Sequence, residues 1–307
     1  MALASTTRGY IGKGPISIQA LGTNHAPVMV GNCKALNLKI DVDRKARVDY
    51  QGAGGGELDV VERITAMTGQ MTVDDFKPEN LARALRGASA AVASALVATE
   101  SVTLYTSSKA FFAFIPDPDA AVTITVSVTA AWAAATVYAV GDKIVDTGRL
   151  YSVTVAGTSH ATNEPTWPTN GTTVTDGTVT WKDLGTTTLV ANTHYQRTRS
   201  GINALAAGTQ FDDYGTPLTV SYTKNAQYLI QALTDSGTEY LMVFDGLNEV
   251  DSGNPIVARL HRVKFSPTAG MDLIGDEFGE LTMEFSVLKD ESITTAGLSQ
   301  YMQIAMV

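Results

Sequence analysis

The chain has a single cysteine, Cys33, among its 307 residues. One cysteine excludes an intramolecular disulfide and the paired-cysteine motifs that hold structural zinc. No apolar run approaches the roughly 18 residues that a membrane-spanning helix needs. Residues 1–14 also lack the basic-then-apolar pattern of a secretory signal. The sequence therefore predicts a protein that acts where it is made, or in a particle assembled there, without a membrane.

Charge is scarce as well, at 17% of residues, whereas 44% are hydrophobic. This balance excludes a disordered chain and predicts one large domain or two ordinary ones. The net charge of −9 disfavours a sequence-specific nucleic-acid binder, because such proteins set lysine and arginine against phosphates. A surface past which DNA slides is compatible with this charge, and so is an ordinary role in solubility.

Catalytic signatures are missing too. Neither a Walker A loop nor a GxSxG nucleophile elbow occurs, and no histidine stands in an HExxH motif. The scattered histidines are His25, His160, His194 and His261. Paired carboxylates can hydrolyse glycosides, but adjacent acids in loops are more often caps and turns. The acidic groups are Asp74/Asp75, Asp212/Asp213 and Asp272/Asp276/Glu277. We expect no enzyme, no metal site and no cofactor.

A long β-hairpin is the clearest element of the sequence. Between Ala35 and Tyr50, apolar and polar side chains alternate, which predicts one buried face and one solvated face. The apolar set is Leu36, Leu38, Ile40, Val42, Ala46, Val48 and Tyr50, and the polar set begins with Asn37, Lys39, Asp41 and Asp43. Arg44 interrupts the apolar face, which indicates a bulge. The glycine-rich run 52–56 predicts a flexible tip, and 58–73 predicts the returning strand.

One helix and many further strands follow the hairpin. Residues 74–87 predict the helix, with an aspartate as cap, Pro78 in the first turn and Gly87 as the stop. Further strands are predicted at 101–105, 110–115, 122–128, 217–222, 228–233, 240–244, 256–265 and 281–287. The pattern predicts a mainly-β fold, a sandwich or barrel with one flanking α-helix.

Residues 130–185 differ from the rest in composition. All three tryptophans, Trp132, Trp167 and Trp181, fall here among short β runs and turn pairs. We predict a small inserted all-β domain in a loop, because exposed loop tips tolerate insertions. The remaining segments, 1–129 and 186–307, would then form one discontinuous domain.

Several short runs of the sequence resemble the tail tube (major tail) proteins of long-tailed bacteriophages. They are VGNCKALNL at 30–38, the hairpin that follows, DFKPENLARALRG at 75–87, GTQ at 208–210, LTVSY at 218–222, FSP at 265–267 and LIGDEF at 273–278. The similarity covers about residues 30–125 and 186–300.

This resemblance implies a β-sandwich or barrel subunit with no cofactor. Subunits of that family close into rings, typically hexamers, which stack into a hollow tube. Phage DNA leaves through the lumen without specific binding. The resemblance therefore implies a structural virion protein of the phage tail, assembled in the host cytoplasm. Its partners would be other copies of itself and other tail proteins.

Two parts of the chain are candidate functional surfaces on this interpretation. A flexible hairpin tip can become ordered on contact with a neighbour, which predicts an inter-ring contact loop. That loop is Tyr50, Gln51, Gly52, Ala53, Gly54, Gly55, Gly56 and Glu57. The lumen face is the second surface, and polar strand positions are its candidates, although ordinary solvent exposure explains them equally well. These positions are Asn37, Lys39, Asp41, Asp43, Glu280 and Glu284.

The insert is similar to small chitin-binding-like modules and to decoration domains of phage structural proteins. The similarity rests on Trp132, YAVGDKIV at 138–145, Tyr151, PTWP at 165–168 and DGTVTW at 176–181. Aromatic faces can stack on sugar rings, so the candidate glycan contacts are Trp132, Tyr138, Tyr151, Trp167 and Trp181. Alternatively, these aromatics form the core of a very small domain.

Three functions therefore stay open at the level of the sequence. In a tube subunit, the insert would decorate the exterior. The alternative is a carbohydrate-binding adhesin or surface-binding module. A glycan-degrading enzyme that the insert targets to its substrate is the third, and it lacks a convincing carboxylate pair.

Overall fold

Strands form most of the described structure. The computed structural model describes residues 9–22, 25–51, 54–268 and 270–307. The first strands are β1 (Gly12–Lys13), β2 (Ile16–Ala20), β3 (Val28–Met29), β4 (Cys33–Val48) and β5 (Glu57–Val73). Helix α1 (Pro78–Ala84) follows, and then come β6 (Ala88–Val92), β7 (Ala95–Leu104), β8 (Lys109–Phe111) and β9 (Val122–Val126).

The middle and the end of the chain add only strands and a short turn of 3₁₀ helix at Glu249–Asp251. The middle strands are β10 (Val137–Tyr138), β11 (Lys143–Asp146), β12 (Arg149–Val155), β13 (Gly157–Thr158), β14 (Thr173–Asp176) and β15 (Val179–Thr186). The last are β16 (Tyr195–Thr198), β17 (Gly201–Ala204), β18 (Thr216–Lys224), β19 (Gln227–Gln231), β20 (Glu239–Asn248), β21 (Asn254–Phe265), β22 (Leu281–Val287) and β23 (Met302–Met306). The predicted mainly-β fold with a single α-helix is confirmed over the described ranges.

The chain divides into two units. Unit one comprises Met1–Ala90 with Tyr228–Val307, and unit two comprises Ala91–Gln227. The predicted boundaries at 129/130 and 185/186 differ from this division. Residues 91–129 and 186–227 lie in one unit with the insert, because their strands build a hydrophobic core of their own.

Unit one is built on one sheet. Its described strands follow the order β3-β2-β20-β21-β22-β5-β4, with β1 also paired to β20 and β23 to β21. Ile16 and Ile18 of β2 share a core with Met283 and Phe285 of β22, three positions away in that order. The sheet therefore curls around this core.

Helix α1 packs against the same core through Ala84. Pro78 occupies the first turn as predicted, but the capping position is Lys77 and no side chain caps it. The predicted aspartate cap is therefore wrong; the main-chain carbonyl of Asp75 only accepts a hydrogen bond from the Asn80 side-chain amide, at 3.0 Å. The helix ends where the Gly87 N–H bonds the Ala82 carbonyl at 2.7 Å.

Unit two has two cores. The first is enclosed by the sheets β7-β18-β9 and β16-β17-β8, and it holds Leu104, Ile202 and Leu218 at 0% exposure. The second lies inside the insert, beneath the sheet β11-β12-β15-β14 and the strand pair β10-β13.

The insert is anchored on the rest of unit two. Its ends lie side by side, since Thr125 and Thr188 form a β-bridge. Asp212 then joins the two parts: it accepts hydrogen bonds from Lys143 Nζ at 2.9 Å and from Ser152 Oγ at 2.7 Å. The insert therefore packs on its host strands and is not tethered by its ends alone.

Candidate assembly interface

The hairpin of β4 and β5 has one apolar face and one polar face. Residues directly opposite each other in an antiparallel pair share a face. Leu36 is paired with Met71, Ile40 with Met67, and Val42 with Ile64. These rows form a continuous apolar face from the base of the hairpin toward its tip.

This apolar face is buried only at its base. Met71 and Met67 belong to the core of unit one, whereas Ile40, Val42 and Ile64 are 53%, 49% and 66% exposed. Alternation predicted a buried face along the whole strand, and this is wrong for the outer half. The physical reason is that no described residue of the chain covers that half.

Arg44 lies within the apolar face without a bulge. It stands directly opposite Glu62, and the register shifts of the hairpin fall elsewhere, at Asp41/Val42 and Arg47/Val48. Its guanidinium Nη1 donates to Glu57 Oε1 at 2.9 Å. Arg44 is therefore matched by carboxylates of the returning strand, since Glu62 and Glu57 lie on the same face.

The polar face gathers most of the candidate lumen residues. Asn37 lies opposite Gln70, which on its other side lies opposite Glu284. Lys39, Asp41 and Asp43 continue the same face, and Lys39 Nζ contacts Asp41 Oδ1 at 2.6 Å. Opposite charges are thus interspersed on this face.

Glu280 is the remaining lumen candidate. It immediately precedes β22, and its Oε1 lies 2.7 Å from Lys34 Nζ. Both side chains are exposed, so this pair lies on the surface at the base of the hairpin.

The predicted inter-ring loop is described in part. Gly52 and Ala53 lie outside the described residues. Tyr50 is 90% exposed, and Gly54 and Gly55 have φ of 122° and 47°, backbone conformations that favour glycine. Contact of this loop with a neighbouring ring stays a prediction.

Burial separates the aromatic residues of the insert into two groups. Tyr151 and Trp181 are 0% exposed and Tyr138 is 9% exposed, so a sugar cannot stack on them from solvent. Their positions favour the core alternative. Trp132 and Trp167 are partly buried against that core, and their indole N–H groups donate to Asp176 and Glu164 at 2.7 and 2.8 Å.

A buried carboxylate holds separate segments of the insert together. Asp183, with its side chain 0% exposed, accepts hydrogen bonds from Arg149 Nε at 3.1 Å and from the main-chain N–H of Gly171 and Gly185 at 2.9 Å each. Burial alone would raise the pKa of Asp183, but these donors outweigh burial and hold the pKa below its ordinary value of 3.8.

We expect the stability of unit two to fall in acid because of Asp183. Its folded pKa lies below the ordinary 3.8, so its stabilising effect is present above pH 3.8 and is lost as the pH falls through the folded pKa. All three tryptophans lie in unit two, so tryptophan fluorescence during urea unfolding follows this unit. Asp183→Asn should lower stability at neutral pH and flatten its acid dependence, whereas the exposed Asp213→Asn should change neither. An unchanged acid dependence in Asp183→Asn would contradict this assignment.

The other acidic groups have structural contacts or lie in loops. Asp74 accepts a hydrogen bond from the Asn32 amide at 2.8 Å, and Asp212 anchors the insert. In the part of the chain that the structure describes, no group of three His, Cys, Asp or Glu side chains could hold a metal ion. No helix among the described residues is long and apolar enough to cross a membrane.

Two features were missed at the level of the sequence. The loop between β21 and β22 exposes Leu273, Ile274 and Phe278 at 80%, 96% and 89%. Arg83 and Arg86, at the end of α1, line a pocket with Tyr240. The bulky apolar residues of LIGDEF, standing between glycines without strand alternation, were the available signal for the loop.

Fold and surface together define a mainly-β protein whose longest hairpin presents an uncovered apolar face. The chain belongs to the family described as Protein of unknown function UCP028589, whose profile matches residues 9–161 and 149–305. No curated protein matched the sequence.

Proposed function

We propose that this chain is a structural subunit that assembles with copies of itself into rings, sixfold as in tail tube proteins. The rings stack into the hollow tube of a phage tail, through which DNA is delivered. The observation that carries the proposal is the outer half of the β4–β5 hairpin. There Ile40, Val42 and Ile64 are about half exposed or more, although they continue a buried core face.

The sheet edge favours another copy of the same chain as the partner. Strand β4 ends the strand order of the sheet, so its outer edge is unpaired over the described residues. A 16-residue edge strand with exposed apolar side chains is a template for strand pairing unless it is covered. A head-to-tail interface that closes into a ring covers such an edge in every subunit.

The polar face of the hairpin suits a lumen for DNA. Lys39 and Asp41, and likewise Lys45 and Asp43, form ion pairs along this face, at 2.6 and 3.9 Å. Neutralised lysines do not bind a run of phosphates tightly, so DNA can pass. The proposal requires no catalytic residue, metal or cofactor, and it places the insert on the exterior of a virion tail.

Purified protein tests the proposal directly. Size-exclusion chromatography with light scattering over a concentration series should show growth from monomer to a ring of defined mass. Negative-stain microscopy of the same fractions should show rings and, at high concentration, tubes. A monodisperse monomer at every concentration would overturn the proposal.

A further inference from the structure

Two arginines at the end of α1 form no direct ion pair with a described carboxylate. Arg83 Nη1 donates to Asn80 Oδ1 at 2.9 Å, and its guanidinium carbon stands 5.8 Å from the centroid of the Tyr240 ring. Arg86 Nη2 donates to the Ser236 carbonyl, while its Nε is buried without a hydrogen-bond partner. Among the described residues, no carboxylate lies within 4.0 Å of either guanidinium.

The backbone holds Arg86 toward this pocket at a cost. Arg86 has φ of 45°, at the position after a helix end that glycine usually fills. Its N–H bonds the Arg83 carbonyl at 3.1 Å, and the Gly87 N–H bonds the Ala82 carbonyl at 2.7 Å, which completes the helix-ending motif. Arginine carries a backbone cost here that glycine would avoid, although its positive charge is favourable at a helix C-terminus.

Two acids lie beside the pocket at longer range, where Asp235 attracts Arg86 and Glu79 attracts Arg83 without direct contact. Asp235 lines the pocket, but its carboxylate accepts hydrogen bonds from the Gly237 N–H at 2.9 Å and from Thr238 Oγ1 at 2.9 Å. Glu79 also lines it, from the first turn of α1, beyond ion-pair distance. Neither guanidinium therefore makes a direct ion pair, and both are suited to bind a carboxylate from outside.

A loop of the same unit carries such carboxylates. Residues 271–280 lead into β22 without regular secondary structure. Asp272 and Asp276 make no hydrogen bond or ion pair with other described residues. Ile274 and Phe278, on either side of Asp276, are 96% and 89% exposed. Apolar side chains this exposed beside an acid are typical of a docking segment.

We propose that loop 271–280 of one copy docks on the Arg83/Arg86 pocket of a second copy. The Asp276 carboxylate meets the two guanidinium groups, and Ile274 and Phe278 become buried against the surface around the pocket. No residue of this loop lines the pocket of its own chain, so the two halves of the contact are free to meet between copies. The inference rests on the proposed self-assembly and adds a specific contact to it.

Disulfide crosslinking tests which chain supplies the loop. In a Cys33→Ser background, Ser89→Cys at the exposed pocket rim and Gly275→Cys in the loop are combined, which leaves the Asp276 carboxylate in place. Under oxidation, the double variant should give a ladder of covalent multimers on non-reducing gels. Each single variant should give at most a dimer. An intrachain disulfide, or assembled particles without a ladder, would overturn the inference.

Arg86→Gly separates docking from folding. Glycine suits the positive φ, so the variant should unfold at the same urea concentration as the wild type or at a higher one. It should nevertheless raise the concentration needed for assembly about tenfold or more, because an acid of the partner loses its cation. Lys77→Gly, at the other end of α1, is the matched control and should assemble normally.

Charge exchange completes the test. Arg86→Glu and Asp276→Arg should each weaken assembly, and the combination should restore much of the loss. If the wild type assembles and Arg86→Gly assembles equally well, this docking contact is wrong while the proposed function stands. If the wild type never assembles, the proposed function itself fails.

Discussion

Replacing Ile40 or Ile64 by lysine should abolish assembly while leaving unit one folded. Both side chains are more than half exposed in the isolated chain, at 53% and 66%, so folding loses little when they become charged. Covering the exposed part of each isoleucine contributes about 1–2 kcal/mol, since full burial of such a side chain contributes about 1.5–3 kcal/mol. A buried, unpaired ammonium reverses that gain, because an isolated charge is costly to remove from water. The effect recurs at every interface of a ring.

The control lies on the other face of the same hairpin. Asn37→Lys introduces the same charge on the polar face, where lysines are already present, and rings should still form. Light scattering and negative-stain microscopy give the assembly state, and thermal unfolding shows whether the subunit is intact. If Ile40→Lys remains folded and forms rings at wild-type concentration, the apolar face is not the interface. The milder Ile64→Thr provides a second test should the lysine variant unfold.

The hairpin also shows what a sequence can predict. Alternation correctly assigned Leu36, Ile40 and Val42 to one face and Asn37 and Lys39 to the other, because strand geometry is local. The alternating segment 281–287 matches strand β22 at both ends. Exposure is different, since it depends on what covers a face. For the outer half of the hairpin, no described residue does so.

Unit boundaries were not predictable for a related reason. Strands β7 and β18 pair through Leu104 and Thr216, which are far apart in sequence, and this pairing creates the first core of unit two. Composition changes at the insert, but it does not change at Ala90/Ala91, where the division falls. The Arg86 site is equally non-local, because its partner Ser236 is 150 residues away.

In unit two, Trp181→Ala should cause the largest loss of stability. Trp181 is 0% exposed, and its ring meets Tyr138 edge-on at 4.7 Å and Trp167 at 5.8 Å. Truncating a large buried aromatic costs about 3–5 kcal/mol through lost burial and the cavity left behind. A domain as small as the insert has little other core to compensate. We expect the insert to unfold in this variant, as measured by urea denaturation and the fluorescence of the two remaining tryptophans.

A phenylalanine at the same position should be far less harmful. The Trp181 Nε1–H is buried without a hydrogen-bond partner, and an unsatisfied buried donor costs about 1–3 kcal/mol. Trp181→Phe removes that donor while keeping an aromatic ring. The cavity is smaller than in the alanine variant, and removing the donor offsets part of its cost. Val137→Ala, at a site 77% exposed, is the control and should change stability by no more than about 0.5 kcal/mol.

These variants also test whether the insert is needed for ring formation or only for binding a glycan. Because the proposed interface lies in unit one, rings should still form when Trp181→Ala unfolds the insert. Trp167 is only partly buried, so Trp167→Ala can leave the insert folded and be assayed for binding to chitin-type glycans. A folded Trp167→Ala variant that loses measurable glycan binding would establish a sugar contact at that ring. If Trp181→Ala prevents ring formation, the insert belongs to the assembly interface and its exterior placement is wrong.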